Sequence, residues 1–184
     1  LSYNSMGEIE ERGSIQSLGG QTIRTLYENP NGTLYAGTKS GIWNQSGPYF
    51  ERVVAGSDTT AFDALSLYED STGTLWIGTA GGGLNLWSAE DRINSKVNIQ
   101  HFSENISLPS SNIYGIQGDD NGWVWVSHSK GLSRINPKSL EAHHYGVRDG
   151  LQANEFTLGA SYKSQTGTIY FGGISGFNTI DPNF

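Results

Sequence analysis

"EDSTGTLWIGTAGGGLNLW", residues 69–87, decides the fold, because its glycines have two readings. A Gly-rich run can cradle phosphate. Here Gly78, Gly81, Gly82 and Gly83 match neither the dinucleotide fingerprint nor the Walker loop, and no Lys-Ser/Thr pair follows. The other reading is turn punctuation, and it is decided by finding the same stretch again. Four segments align on a shared glycine: "TIRTLYENPNGTLYAGTKSGIW" (22–43), "ALSLYEDSTGTLWIGTAGGGLNLW" (64–87), "NIYGIQGDDNGWVWVSHSKGLSRI" (112–135) and "GASYKSQTGTIYFGGISGFNTI" (159–180). Their anchors, Gly32, Gly73, Gly122 and Gly167, are spaced 41, 49 and 45 residues apart. A period of that size, with strands in each unit, points to propeller blades rather than helical arrays.

The second strand of each unit carries the argument. One face holds Leu34/Ala36, Leu75/Ile77, Val124/Val126 and Ile169/Phe171. The other pairs an aromatic residue with a tiny one: Tyr35/Gly37, Trp76/Gly78, Trp125/Ser127 and Tyr170/Gly172. Neither face suits water, and a strand buried on both faces reads as continuously apolar. Blades stacked around an axis bury both faces of each sheet. The ring-then-glycine pairing predicts that a ring on one sheet fills a hollow on its neighbour. "ENPNG", "EDSTG", "GDDNG" and "KSQTG" then become tight turns between first and second strands.

Outer strands follow in three units, "PYFERVV" (48–54), "KVNIQHFS" (96–103) and "LEAHHYG" (140–146). The fold class expected is therefore all-β: a β-propeller fragment of about four blades of four-stranded antiparallel sheet, with incomplete terminal blades. It forms a single propeller segment over 1–184, with a partial blade at 1–12 and repeats at 22–54, 63–103, 112–146 and 156–182. "LSYN" and "GEIEER" at the start read as third and outer strands, while "GFNTIDPNF" ends on a third strand. Such ends predict closure by the N-terminal strand or a homodimer through open strand edges.

Lys plus Arg is 11 against 18 Asp plus Glu, a net charge of −7, which argues against a nucleic-acid partner. Cysteine is absent, so there is neither a disulfide framework nor thiolate chemistry. No segment approaches the ~18 consecutive apolar residues of a membrane span. The chain opens at Leu1 with no signal peptide, which reads as a piece whose targeting segment lies upstream.

The segment 64–87 resembles the two-component regulator propeller repeat almost position by position, and "YGVRDGLQANEFTLGASYKSQTGTIYFGGISGFNTIDP" (145–182) looks like that family's final blade. The third unit departs from the pattern at Ser127-His128 and at Gly118, and the first at Tyr35-Ala36. The resemblance implies a non-catalytic, ligand-sensing periplasmic input region of an inner-membrane sensor, whose output is a histidine kinase or a GGDEF diguanylate cyclase; the alternative readings are a protein-interaction scaffold and, behind it, a propeller lyase or glycan-active enzyme. It implies as partner an unidentified small molecule, a glycan fragment among the candidates, or a protein.

"GGISGF" and "TKSGI" miss the nucleophile-elbow spacing, and His143 and His144 are adjacent on a strand, so they point to opposite faces. Asp119-Asp120-Asn121-Gly122 lacks the ligand alternation and distal Glu of a calcium loop. No catalytic residue, metal site or cofactor is expected. Binding is expected where second-to-third-strand turns share a rim with the connections between blades. The candidates there are Lys39, Asp58, Asn105, His128, Lys130 and Arg148. Asp149 and Asn154 lie in the stretch that looks like the family's final blade, and that resemblance implies that they shape the last connection. His128 stands out because it breaks the repeat.

Overall fold

A computed structural model describes residues 18–55, 62–102 and 108–181. They form four antiparallel sheets arranged as propeller blades, three of four strands and one of three. The first blade is β1 (Ile23–Glu28), β2 (Leu34–Thr38), β3 (Gly41–Ser46) and β4 (Tyr49–Ala55). The second is β5 (Ala64–Glu69), β6 (Leu75–Thr79), β7 (Leu84–Trp87) and β8 (Ile99–His101), with the short helix α1 (Ala89–Ile93) before the last strand. The third is β9 (Ile113–Gly118), β10 (Val124–His128), β11 (Gly131–Ile135) and β12 (Ala142–Tyr145). The fourth is β13 (Phe156–Lys163), β14 (Ile169–Gly173) and β15 (Gly176–Ile180). Each sheet is ordered as the chain runs, and the first strands β1, β5, β9 and β13 lie side by side. The partial blade expected at 1–12 lies outside the described residues.

The two faces seen in the sequence meet one another across each blade junction. Tyr35 and Ile42 pack against Leu67, Leu75 and Ile77 of the next blade. Trp76, Leu84 and Leu86 pack in turn against Ile116, Val124 and Val126. Trp125 and Leu132 do the same against Ile169 and Phe171. At these three junctions the aromatic-and-small face of one blade is closed by the apolar pair of its successor. In the last blade Tyr162, Tyr170 and Phe177 continue that face as a ladder, with ring centroids 6.4 and 6.2 Å apart. Tyr162 and Phe177 are exposed there.

One expectation about this packing needs correction. The small residue makes room for the next blade's first strand, not for a ring. A Cβ at Gly78 would lie 2.7 Å from Ile113 Cγ2, and one at Gly37 would lie 3.0 Å from the Ala64 carbonyl oxygen. The departure at Gly118 has a related cause: a Cβ there would fall on the Tyr68 hydroxyl of the preceding blade. Burial, reinforced by the charge of Asp70, pushes the Tyr68 phenol up to about 12.

The shared turns have one architecture. Asp70 N–H donates to the Thr74 carbonyl and Gly73 N–H to the Asp70 carbonyl; Asn29, Asp119 and Ser164 head equivalent pairs in the other blades. Asp70 Oδ1 accepts from the Thr72 and Thr74 amides at 2.8 and 3.1 Å. Gly73 closes the turn at φ 79°, a left-handed conformation that favours glycine. The turn reading of residues 69–87 therefore holds.

Candidate functional site

Each second strand runs from the Asp-type turn to the turn before the third strand, so the arc of blades has two rims. The rim favoured by the sequence carries the second-to-third-strand turns. Lys39 and Lys130 are exposed in two of those turns, and Arg148 is exposed in the 3-10 helix Val147–Asp149 between the last two blades. Asp58 and Asn105 lie outside the described residues. Asp149 Oδ2 accepts from Gly146 N–H at 2.8 Å and Asn154 Oδ1 from Val147 N–H at 3.0 Å, so both shape the connection, as expected.

His128 is fully buried, not displayed on the rim. Lys130 N–H donates to its Nδ1 at 3.1 Å, the one hydrogen bond that joins two of the described candidates. That bond makes Nδ1 the acceptor and leaves the proton on Nε2, which donates to Ser133 Oγ at 2.8 Å. The Ser133 hydroxyl then donates to Nδ1 of exposed His144 at 2.8 Å. Burial, with the nearby charges of His144 and Lys130, lowers the His128 imidazole to about 4, so it is neutral at pH 7. Both ring nitrogens are engaged inside the third blade. His128 thus serves the blade's own structure.

A depression lies on the opposite rim. A groove of about 500 Å³ runs between the second and third blades, within the size range of small-molecule sites. Its floor includes the buried Trp76 and Leu86 and the half-buried Leu140. The Asp70 turn and the segment after β7 form one wall, and Trp123 with residues 136–138 forms the other. Trp123 is held in place by the Arg134 guanidinium, which lies 4.1 Å from its ring centroid and 5.4 Å from that of Trp125. Asp91, Asn98 and Gln100 line the second-blade wall, and Lys138 lines the third-blade wall.

The wall on the second blade is rigid for identifiable reasons. Ser88 caps α1 by accepting from Asp91 N–H at 3.1 Å and donates to Asp91 Oδ2 at 2.9 Å. Arg92, nearly buried, pairs with Glu69 at 2.8 Å and donates to Tyr35 Oη at 3.0 Å, tying the helix to the first blade. Its second terminal nitrogen donates to the Gly73 carbonyl, fixing the helix against the Asp70 turn.

Sequence reasoning missed this groove because it weighed the connections between blades and not those within them. The signal was present. The third-to-outer-strand connection of the second blade, residues 88–98, is long and carries Asp91 and Asn98. Among the described residues, no three His, Cys, Asp or Glu side chains gather as a metal site.

The family model described as two component regulator propeller matches residues 63–81 and 107–130, which hold the first two strands of the second and third blades. Histidine kinase P4 of Formosa agariphila is 28% identical over 177 residues, which cover 92% of this chain and 12% of that protein. The chain therefore spans a small part of the relative's length. The extracellular domain of the hybrid two component system BT4673 from B. thetaiotaomicron superposes with a TM-score of 0.72 at 24% identity, over 87% of this chain and 23% of that one. Virginiamycin B lyase from Staphylococcus aureus superposes with a TM-score of 0.66 at 14% identity, over 98% of this chain and 59% of the lyase. At such identities the two structural likenesses speak for the propeller fold alone, and enzymes share it. Segments of the second and third blades thus match the two-component regulator propeller repeat.

Proposed function

We propose that this chain is a ligand-sensing input segment of a bacterial transmembrane signalling protein, positioned on the periplasmic side and not itself catalytic. The observation that carries the reading is the similarity to a histidine kinase across 92% of the chain, beside the match of two segments to the propeller repeat. The geometry supports it in two ways. His128, the residue that breaks the repeat, and its partner Ser133 are buried and hydrogen-bonded to each other within one blade. Concave polar surface is found instead between two blades, on walls fixed by ion pairs and caps, as a binding module requires. No helix among the described residues is long and apolar enough to cross a membrane, so in this reading the span belongs to another part of the parent protein.

A topology fusion tests the assignment. Alkaline phosphatase, active only outside the cytoplasm, is joined to the parent protein after Asp181 and expressed in a Gram-negative host. Enzyme activity in intact cells is the expected result. Activity of a cytoplasmic reporter at the same junction, with a silent phosphatase fusion, would overturn it.

A further inference from the structure

We infer that the groove between the second and third blades binds a short peptide with free termini in extended conformation. Three features point to that chemistry. Opposite charges stand on opposite walls, Asp91 on the second blade and Lys138 on the third, and no ion pair joins them. Asp91 Oδ2 is taken by Ser88, while Lys138 Nζ has no partner among the described residues. A ligand carrying both an ammonium and a carboxylate satisfies the two walls together.

Asn98 and Gln100 supply the second feature. Separated by two positions on the extended segment entering β8, they project from the same face about 6.8 Å apart. That spacing is the repeat of an extended peptide, and each primary amide offers one donor and one acceptor to match a peptide group. Neither amide has a hydrogen bond among the described residues. The third feature is the apolar strip of Trp123 and Leu140, which gives one ligand side chain a dry surface opposite those amides. A neutral sugar would use the amides and the ring but leave both charges unmatched.

The inference supplies a ligand for the sensor reading and rests on it only for its biological use. Binding itself is a property of the groove. It is tested by titrating the 184-residue chain with the tripeptide Ala-Leu-Ala, with its N-acetylated and C-amidated form, and with maltose. The free tripeptide should bind, and blocking its termini should weaken binding about ten-fold or more, the scale of one charged hydrogen bond. Lys138→Gln should cost the free peptide about ten-fold and leave the blocked form unchanged. Asp91→Asn, which keeps an oxygen for Ser88, should behave likewise, and unchanged melting temperatures show that both variants fold. Equal binding of free and blocked peptides, tighter binding of maltose, or no binding of the free peptide would each overturn the inference. None of those three results bears on the topology of the parent protein, so failure here and failure of the sensor reading are distinguishable.

Discussion

Asp70 uses its two carboxylate oxygens for different tasks: Oδ1 holds the turn amides, and Oδ2 accepts the Trp76 indole N–H at 2.7 Å. Asp119 repeats the arrangement, with Oδ1 on the Asn121 and Trp123 amides and Oδ2 on Trp125 Nε1 at 2.9 Å. Where the ring is a tyrosine, the carboxylate is gone. Asn29 precedes Tyr35, and its Oδ1 still accepts from Asn31 and Thr33 at 3.1 and 2.8 Å. Ser164 precedes Tyr170. Turn head and ring vary together because a buried indole N–H needs an acceptor and the tyrosine in that place does not.

The first prediction follows from that pairing. Asp70→Asn keeps the turn but sets an amide N–H₂ or a reoriented oxygen against the indole, so one donor loses its acceptor. It should destabilise the chain by about 1–3 kcal/mol in urea unfolding. Combining it with Trp76→Tyr recreates the Asn29–Tyr35 pair, and the double variant should lose less than the two single losses added. Strict additivity would show that the indole bond contributes nothing.

Gly118 is predicted to be the least replaceable residue of the third blade's first strand. Alanine there meets the Tyr68 hydroxyl, and the overpacking should cost about 1–3 kcal/mol. In a Tyr68→Leu background the same substitution should cost much less. An equal penalty in both backgrounds would locate the strain elsewhere.

The Arg92–Glu69 pair, with side chains 11% and 9% exposed, joins α1 to the first-strand end of its own blade while Arg92 also reaches Tyr35. Arg92→Met strands the Glu69 carboxylate, a loss of about 3–5 kcal/mol for a buried pair broken on one side. Adding Glu69→Gln should restore part of it. Thermal melts of the three variants decide the matter, and a silent Arg92→Met would mean that water already satisfies Glu69.

His128 gives a pH dependence with a definite sign. Its folded value of about 4 lies below the ordinary 6.5, so the unfolded chain takes up the proton first as the pH falls. Its contribution is whole above pH 6.5, declines between 6.5 and 4, and changes no further below that. The total is on the order of 3 kcal/mol. His128→Asn, whose oxygen can still accept from Lys130 N–H, should flatten the slope of unfolding free energy over that window relative to the parent chain. An identical slope would show that His128 protonates freely in the folded state.

The blades were legible because their signal is repeated: a strand apolar on both faces, a turn of fixed composition, and a period that places both at the same offset. The hollow beside Gly78 was read in the right place with the wrong occupant, because a sequence shows that space is needed and not which neighbour fills it. The candidate site was hardest to see. His128 broke the repeat and so drew notice, yet its singularity serves Ser133 and His144 within the blade. Asp91, Asn98, Gln100 and Lys138 come from two blades and meet only through the inter-blade packing, a relation that no local pattern encodes.

The sequence of the parent gene beyond the codon for Phe184 tests the central claim most directly. The sensor account predicts a membrane span followed by a cytoplasmic histidine kinase or comparable output module. A stop codon at that point, or a soluble catalytic domain joined without a membrane span, would contradict it.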